Sequence, residues 1–305
     1  MTTNSSIIEN VDGYHSVIEK IAGDLPSISV MVNEMVKIAS NPESANSKLC
    51  SLISNDQSVF SKILKIANSV EYRQGNLDRI SDANEAVLRI GSEKVRRIIL
   101  SSSVLDVFAS NDAEFTFKLE GLWLHSCAVA IGTQVLAERF QSEYTDQAYA
   151  CGLLHDLGKV AKIQFLKDEF VKEVKFTQKN NCTLWFAEKA LDQIHHDVLG
   201  FMLLKKWSIS PIIEQTTRWH HTFSKGARRN VEDPAIQKLI DITILSNHLV
   251  KELRFGSSGS AKIDELPNNF LRRNRIDEAE YQDSLELVRM HIDAESENLA
   301  ILLED

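Results

Sequence analysis

Six of the nine histidines fall between positions 125 and 221: His125, His155, His195, His196, His220 and His221. Four of them form two adjacent pairs, and His155 is followed directly by Asp156. Imidazole and carboxylate together are the usual donors to Zn, Fe, Mn or Ni, so the first chemistry implied is divalent-metal binding. The surroundings strengthen that reading. The segment AYACGLLHDLG places apolar or small residues on nearly every side of His155 and Asp156. An ionised aspartate there is costly without a cation, a histidinium or several hydrogen-bond donors. A bound metal would supply the charge and take the histidine proton's place at once. The competing reading is purely structural, with the aspartate capping a helix and buried histidines donating to carbonyls. Periodicity alone does not choose between His195 and His196.

These side chains need helices to bring them together, and helical periodicity dominates the chain. Only five prolines and twelve glycines interrupt it. Over 28–39 the stripe is Ile28, Met31, Val32, Met35 and Ile38, after the Leu25–Pro26 break. Helices are predicted at 47–54 and 57–70, with a loop at Tyr72–Asn76. Two more, at 82–90 and 92–109, are separated at Gly91. A polar stretch at 110–114 divides the halves. The second half opens with a helix over 119–140, where His125 shares a face with Leu122, Ala128, Val129, Gly132 and Leu136 and so points to the core. A further helix ends near Leu157–Gly158, and another covers 184–206. One starts at Ser210–Pro211, and one spans 234–254. The run GSSGSAKIDELPNN (256–269) has the composition of a linker, and 277–303 reads as an acidic amphipathic helix carrying Tyr281, Leu285, Val288, Ile292 and Leu299. The expected fold class is all-α. The divisions are a tail or short helix at 1–20, a core at 21–255 split into 21–112 and 113–255, a linker at 256–276 and a terminal helix at 277–305.

Composition narrows the function classes. With 43% hydrophobic and 25% charged residues the chain is of the ordinary globular kind. Its net charge of −9 argues against a protein that coats nucleic acid or anionic membrane. No stretch reaches the ~20 apolar residues needed to cross a bilayer, and the first residues lack the pattern of a secretory leader. The four cysteines, Cys50, Cys127, Cys151 and Cys182, form no C-x-x-C pair and read as reduced thiols. The expected location is the cytoplasm. Basic groups at Lys94, Arg96 and Arg97, at Arg228–Arg229 and at Arg272–Arg273 with Arg275 read as solvated helix surface.

The string GLLHDLGKV (152–160), with His125 upstream in GLWLHS, resembles the HD superfamily of metal-dependent phosphohydrolases. More specifically, the chain resembles the HDOD domain, an HD-related output domain of bacterial signalling proteins. The first half carries the opening Leu25–Pro26, the I-x-x-D stretch at Ile53–Asp56, the A-N-S-x-x-Y of Ala67–Tyr72 and a variant of the A-x-x-x-L-G phrase at Ala86–Gly91. Glu188, His196, Gly200, Trp207, His220 and His221 match the pattern that follows the HD dipeptide. The resemblance spans about 21–255. It implies an HD-like helical bundle in the second half, packed against a helical first half.

The resemblance also implies roles. In catalytic HD enzymes the first His, the HD pair and a later Asp hold one metal, which makes His125, His155 and Asp156 ligands here. His196, His220 and His221 match the extra histidines of branches that hold a second ion. Lys159 resembles a phosphate-contacting lysine; its other reading is a solvated helix end. One position departs from the pattern: in ITILSNHLV (242–250), Asn247 stands where the final Asp would fall. Asn offers a neutral carbonyl oxygen and no anionic charge. Asp241, six residues earlier, lies about 240° away around a continuous helix and does not replace it. The implied function is a regulatory, non-catalytic signalling or scaffold protein with a divalent ion of Fe, Mn, Zn or Ni. Its partners would be signalling proteins, with a nucleotide or cyclic dinucleotide as a further ligand. The alternative is a metal-dependent phosphohydrolase acting on a nucleotide or phosphodiester, with Asp156 and Lys159 in its machinery.

Overall fold

The structure is a computed structural model that describes residues 14, 18, 19, 21, 30, 33–35, 37, 38, 45–73, 79–108 and 117–304. Among the described residues there is no strand. In chain order the helices are α1 (Ala45–Asn55), α2 (Gln57–Ala67), α3 (Val70–Arg73), α4 (Ala83–Ile90), α5 (Ser92–Phe108), α6 (Leu119–Arg139), α7 (Thr145–Leu154), α8 (Leu157–Phe165), α9 (Lys167–Asn180), α10 (Leu184–Ala190), α11 (His196–Lys206), α12 (Pro211–Trp219), α13 (Pro234–Glu252), α14 (Asn268–Arg273) and α15 (Glu278–Leu303). Of the 28–39 stripe, Met35 and Ile38 are helical and buried, while Ile28, Met31 and Val32 lie outside the described residues. The 110–114 boundary also lies outside them. Of the 1–20 segment, Tyr14, Ile18 and Glu19 are described and helical.

Local chemistry sets the ends of the first-half helices. Asp56 caps α2 by accepting from the Val59 N–H, and Asp82 caps α4 by accepting from Asn84 and Glu85. Gly91, at φ 92°, turns α4 into α5. Asn68 stops α2 and ties it to the following segment, since its amide exchanges hydrogen bonds with Ile80 N and O at 2.8 Å. The apolar faces of α1, α2, α4 and α5 pack on one another.

In the second half α6 is the central rod, with α7, α13 and α15 packed along it. The burial of α6 from Leu122 to Ala137, broken only at the half-buried Leu124, follows from being covered on several sides. The helix expected to end near Leu157–Gly158 ends at Leu154, and α8 starts at Leu157, so the HD dipeptide sits in the corner between them. The helix expected over 184–206 is two helices, α10 and α11, broken at 191–195, where Asp192 takes a left-handed conformation (φ 52°). The helices α8 and α9 were not read from the sequence.

The Gly/Ser-rich run at 256–269 is not a loose tether. Ser257 N–H donates to Gly121 O at 2.7 Å, Thr177 Oγ1 to Gly259 O at 3.1 Å, and Ala261 N–H to Cys182 O at 3.1 Å. Gly256 serves close approach: a Cβ built on it would lie 2.3 Å from the backbone nitrogen of His125. The run is a strap across α6, α9 and α10. The terminal helix α15 then buries Leu285, Val288, Ile292 and Leu299 against α6 and reaches α2 in the first half. There Lys94 bridges Glu71 and Glu295, both at 3.0 Å.

A candidate metal centre

Five elements meet at the HD corner. His125 comes from α6, His155 and Asp156 from the α7–α8 corner, His196 from the first turn of α11, and His220 and His221 from the end of α12. The fifth element, α13, carries Asn247 and Lys251. Asp156 is the hub. Its Oδ2 faces His155 Nε2 at 3.2 Å and His125 Nε2 at 3.8 Å; its Oδ1 faces Nε2 of His196 and of His220, each at 3.4 Å. His221 Nε2 lies 3.0 Å from His196 Nε2. Asp156 therefore belongs to two groups of convergent donors, one with His125 and His155, the other with His196, His220 and His221. All are buried except His221, which is half-buried.

Three of the rings are anchored through Nδ1. His155 Nδ1 lies 2.6 Å from Gly152 O, His220 Nδ1 2.7 Å from Thr217 O, and His196 Nδ1 2.8 Å from Glu188 Oε2. A carbonyl only accepts, so Nδ1 of His155 and of His220 carries the proton and Nε2 is left bare. This is the arrangement by which ligating imidazoles are usually oriented. Nε2 of His125, His155 and His220, Oδ1 of Asp156 and Oδ1 of Asn247 are all buried without a hydrogen-bond partner. Each such atom costs about 1–3 kcal/mol if nothing binds it. Burial drives His125 and His221 well below the usual imidazole range and His220 down to about 3, which keeps them neutral. Burial would raise the Asp156 carboxyl, but its close partners, His155 first and then Lys159, outweigh it and hold it well below the carboxylate range. The donor set fits a divalent ion of the Fe, Mn, Zn or Ni type.

Lys159 is no solvated helix end. Only 1% exposed, its ammonium donates to Asp156 Oδ2 at 2.7 Å and to Ser258 O of the strap at 3.0 Å. His195 is the one member of the second-half set that points away: it caps α11, stacks against Trp185 at 5.6 Å, and its N–H donates to Tyr14 Oη. Asn247 is 3% exposed on α13. Asp241 is taken up elsewhere, gripped by Arg228 at 2.6 Å and Arg273 at 2.8 Å.

An anionic relay supports the centre from behind, and only its Glu188 was read from the sequence. Fully buried Lys162 donates to Glu173 (2.6 Å), Glu188 (2.8 Å) and Ile194 O (2.5 Å). Two carboxylates thus share one ammonium. Burial would raise Glu188, but His196 and Lys162 bring it down to about 2. Glu173 has only the shared lysine and the repulsion of Glu188, so burial pushes it up to about 7. A folded-state value above the unfolded one gives stability that is complete below about 4.5 and is lost as pH rises through 7. Glu173→Gln should therefore remove about 3 kcal/mol of pH dependence between pH 4.5 and 8. Urea unfolding of both proteins in chelator across that range checks this; parallel pH profiles would contradict it.

The profile of the HDOD domain matches residues 25–223, about two thirds of the chain. The chain belongs to the HDOD family. An HDOD domain protein from Geobacter sulfurreducens superposes with a TM-score of 0.72 over 96% of this chain and 98% of its own, at 24% identity. A protein from Marinobacter aquaeolei VT8, provisionally named for signal transduction, superposes at 0.70 over 97% of this chain and 67% of that one, at 14% identity. At such identities the likeness carries the fold. An uncharacterized protein of Treponema pallidum (strain Nichols) is 24% identical over 258 residues, covering 83% of this chain. This HDOD chain matches 46% of that relative, so it spans less than half of its length.

Proposed function

We propose that this HDOD chain is a non-catalytic signalling or scaffold module whose histidine–aspartate cluster holds a divalent metal as a structural or sensing core. The observation that carries the reading is the charge of the donor set. Among the described residues, Asp156 is the only carboxylate in either convergent group, and a buried amide, Asn247, stands where the catalytic pattern implies a second. Asp156 is moreover already paired with Lys159, and the strap lies over that ammonium. The cluster can bind and lock α6, α7, α11 and α12 together; it lacks the anionic shell that a hydrolytic divalent ion prefers. Signalling would then run through protein contacts.

A second reading, a phosphohydrolase acting on a nucleotide or phosphodiester, draws on Lys159, whose ammonium could offset phosphate charge. The test uses protein purified without a histidine tag. Elemental analysis should find a divalent transition metal, and a panel of nucleotides and phosphodiesters should show no turnover. Asn247→Asp should raise metal affinity at least roughly tenfold, about 1.4 kcal/mol, in a chelator competition titration. Turnover by the parent chain that disappears in His155→Ala would establish the enzyme reading instead.

A further inference from the structure

A second site lies at the other end of α13. A cavity of about 490 Å³ opens between α13, the end of α6 and the α14–α15 connection. That volume falls within the ~300–1,000 Å³ of small-molecule pockets. Pro234, Lys238, Asp241, Ile242 and Leu245 line it from one face of α13, at the i, i+4, i+7, i+8, i+11 spacing of a helix stripe. Phe140 and Ile276 extend the apolar floor, and Lys225, Lys238, Arg273 and Arg275 stand around it.

Charge decides what it takes. The two carboxylates on the wall are already matched. Buried Asp241 is held by Arg228 and Arg273 together, and Glu280 receives both Nε and Nη2 of Arg139, at 2.6 and 3.1 Å. Lys238 makes only a 3.3 Å bond to Gln141 O. Lys225 and Arg275 are exposed and have no carboxylate within salt-bridge distance among the described residues. Three cations are thus left uncompensated around a concave apolar floor, on a chain whose net charge is −9. Arg228 adds to the field: it is 0% exposed, and its Nε and Nη1 have no partner.

We propose that this cavity binds an organic phosphate of nucleotide size, with the flat apolar part on the Phe140–Ile242–Ile276 floor and the phosphates among Lys225, Lys238 and Arg275. The site is independent of the histidine cluster, although α13 borders both, carrying the pocket stripe over Pro234–Leu245 and, beyond it, Asn247 and Lys251.

The experiment is calorimetric titration of the full chain, in chelator, with ADP, GDP, pyrophosphate and adenosine. At least one nucleoside diphosphate should bind saturably, with adenosine at least roughly tenfold weaker. Lys225→Glu combined with Arg275→Glu should weaken that binding by roughly tenfold or more, the loss of about 1.4 kcal/mol. Both side chains are exposed, so the melting temperature should hold. Lys172→Glu, an exposed charge change on α9, should leave binding intact. No saturable binding of either nucleotide overturns the proposal, as does equal affinity in the double variant. Binding that vanishes in His155→Ala also overturns it, because the ligand would then belong to the histidine cluster.

Discussion

Asp156→Ala is expected to strip the chain of bound divalent metal and to lower the stability of the metal-free protein by about 3–5 kcal/mol. The two effects have separate causes. Both oxygens of this carboxylate face imidazole nitrogens, so its loss removes the only anion shared by the two donor groups. It also strands Lys159, which is 1% exposed and would keep only Ser258 O as a partner. Breaking one half of a buried ion pair is far costlier than replacing the whole pair. Hence the control: Asp156→Leu with Lys159→Met should recover most of the apo stability while still failing to hold metal. His155→Ala should lose metal as well, yet cost the apo protein less, because it leaves the Asp156–Lys159 pair intact. Elemental analysis and urea unfolding read the two effects independently. Parent-level metal in Asp156→Ala would show that the donors do not converge on an ion.

Much of this cluster was legible because its residues are chemically loud in quiet surroundings. A histidine beside an aspartate inside AYACGLLHDLG has no cheap explanation other than a partner, and periodicity alone turns His125 inward. The structure brings His125, His155, Asp156, His196, His220 and His221 together and leaves His195 at the rim. What stayed hidden depends on pairings distant in sequence. Lys162 looks like a surface lysine until Glu173 and Glu188 close on it from α9 and α10. Arg228 reads as solvated beside Arg229, yet it is sealed against Asp241. The strap was misread for a related reason: Gly and Ser favour loose tethers and tight backbone approaches alike, and only the neighbours of Gly256 decide. The break at 191–195 was concealed because apolar spacing continues across it.

The largest effect of a single methyl group is expected at Gly158→Ala. Its Cβ would lie 1.9 Å from the carbonyl oxygen of His196, 2.7 Å from the carbonyl carbon and 2.9 Å from the nitrogen of Gly200. All three atoms are backbone, so no side chain can swing away, and α8 must separate from α11. Overpacking of this kind costs typically 1–3 kcal/mol, and where backbone meets backbone about 4 kcal/mol or more is expected. Gly200→Ala meets the buried Thr217 Cγ2 at 2.9 Å and Gly158 N at 3.0 Å, both longer than the 1.9 Å approach at Gly158, so it should be the milder of the two. Gly91→Ala has open space and pays only for its backbone, φ 92° with ψ 141°, about 1–3 kcal/mol. The urea midpoint is therefore expected to fall furthest in Gly158→Ala, with Gly200→Ala and Gly91→Ala each milder. Gly158→Ala should carry a second signature, because the contact it breaks sets the position of His196 against both Glu188 and Asp156. Cobalt(II) loaded into the variant should show an altered ligand-field spectrum even at temperatures where the fold survives. Unchanged stability together with an unchanged spectrum would mean that α8 and α11 do not cross this closely, and that the glycine after the HD dipeptide has no part in building the site.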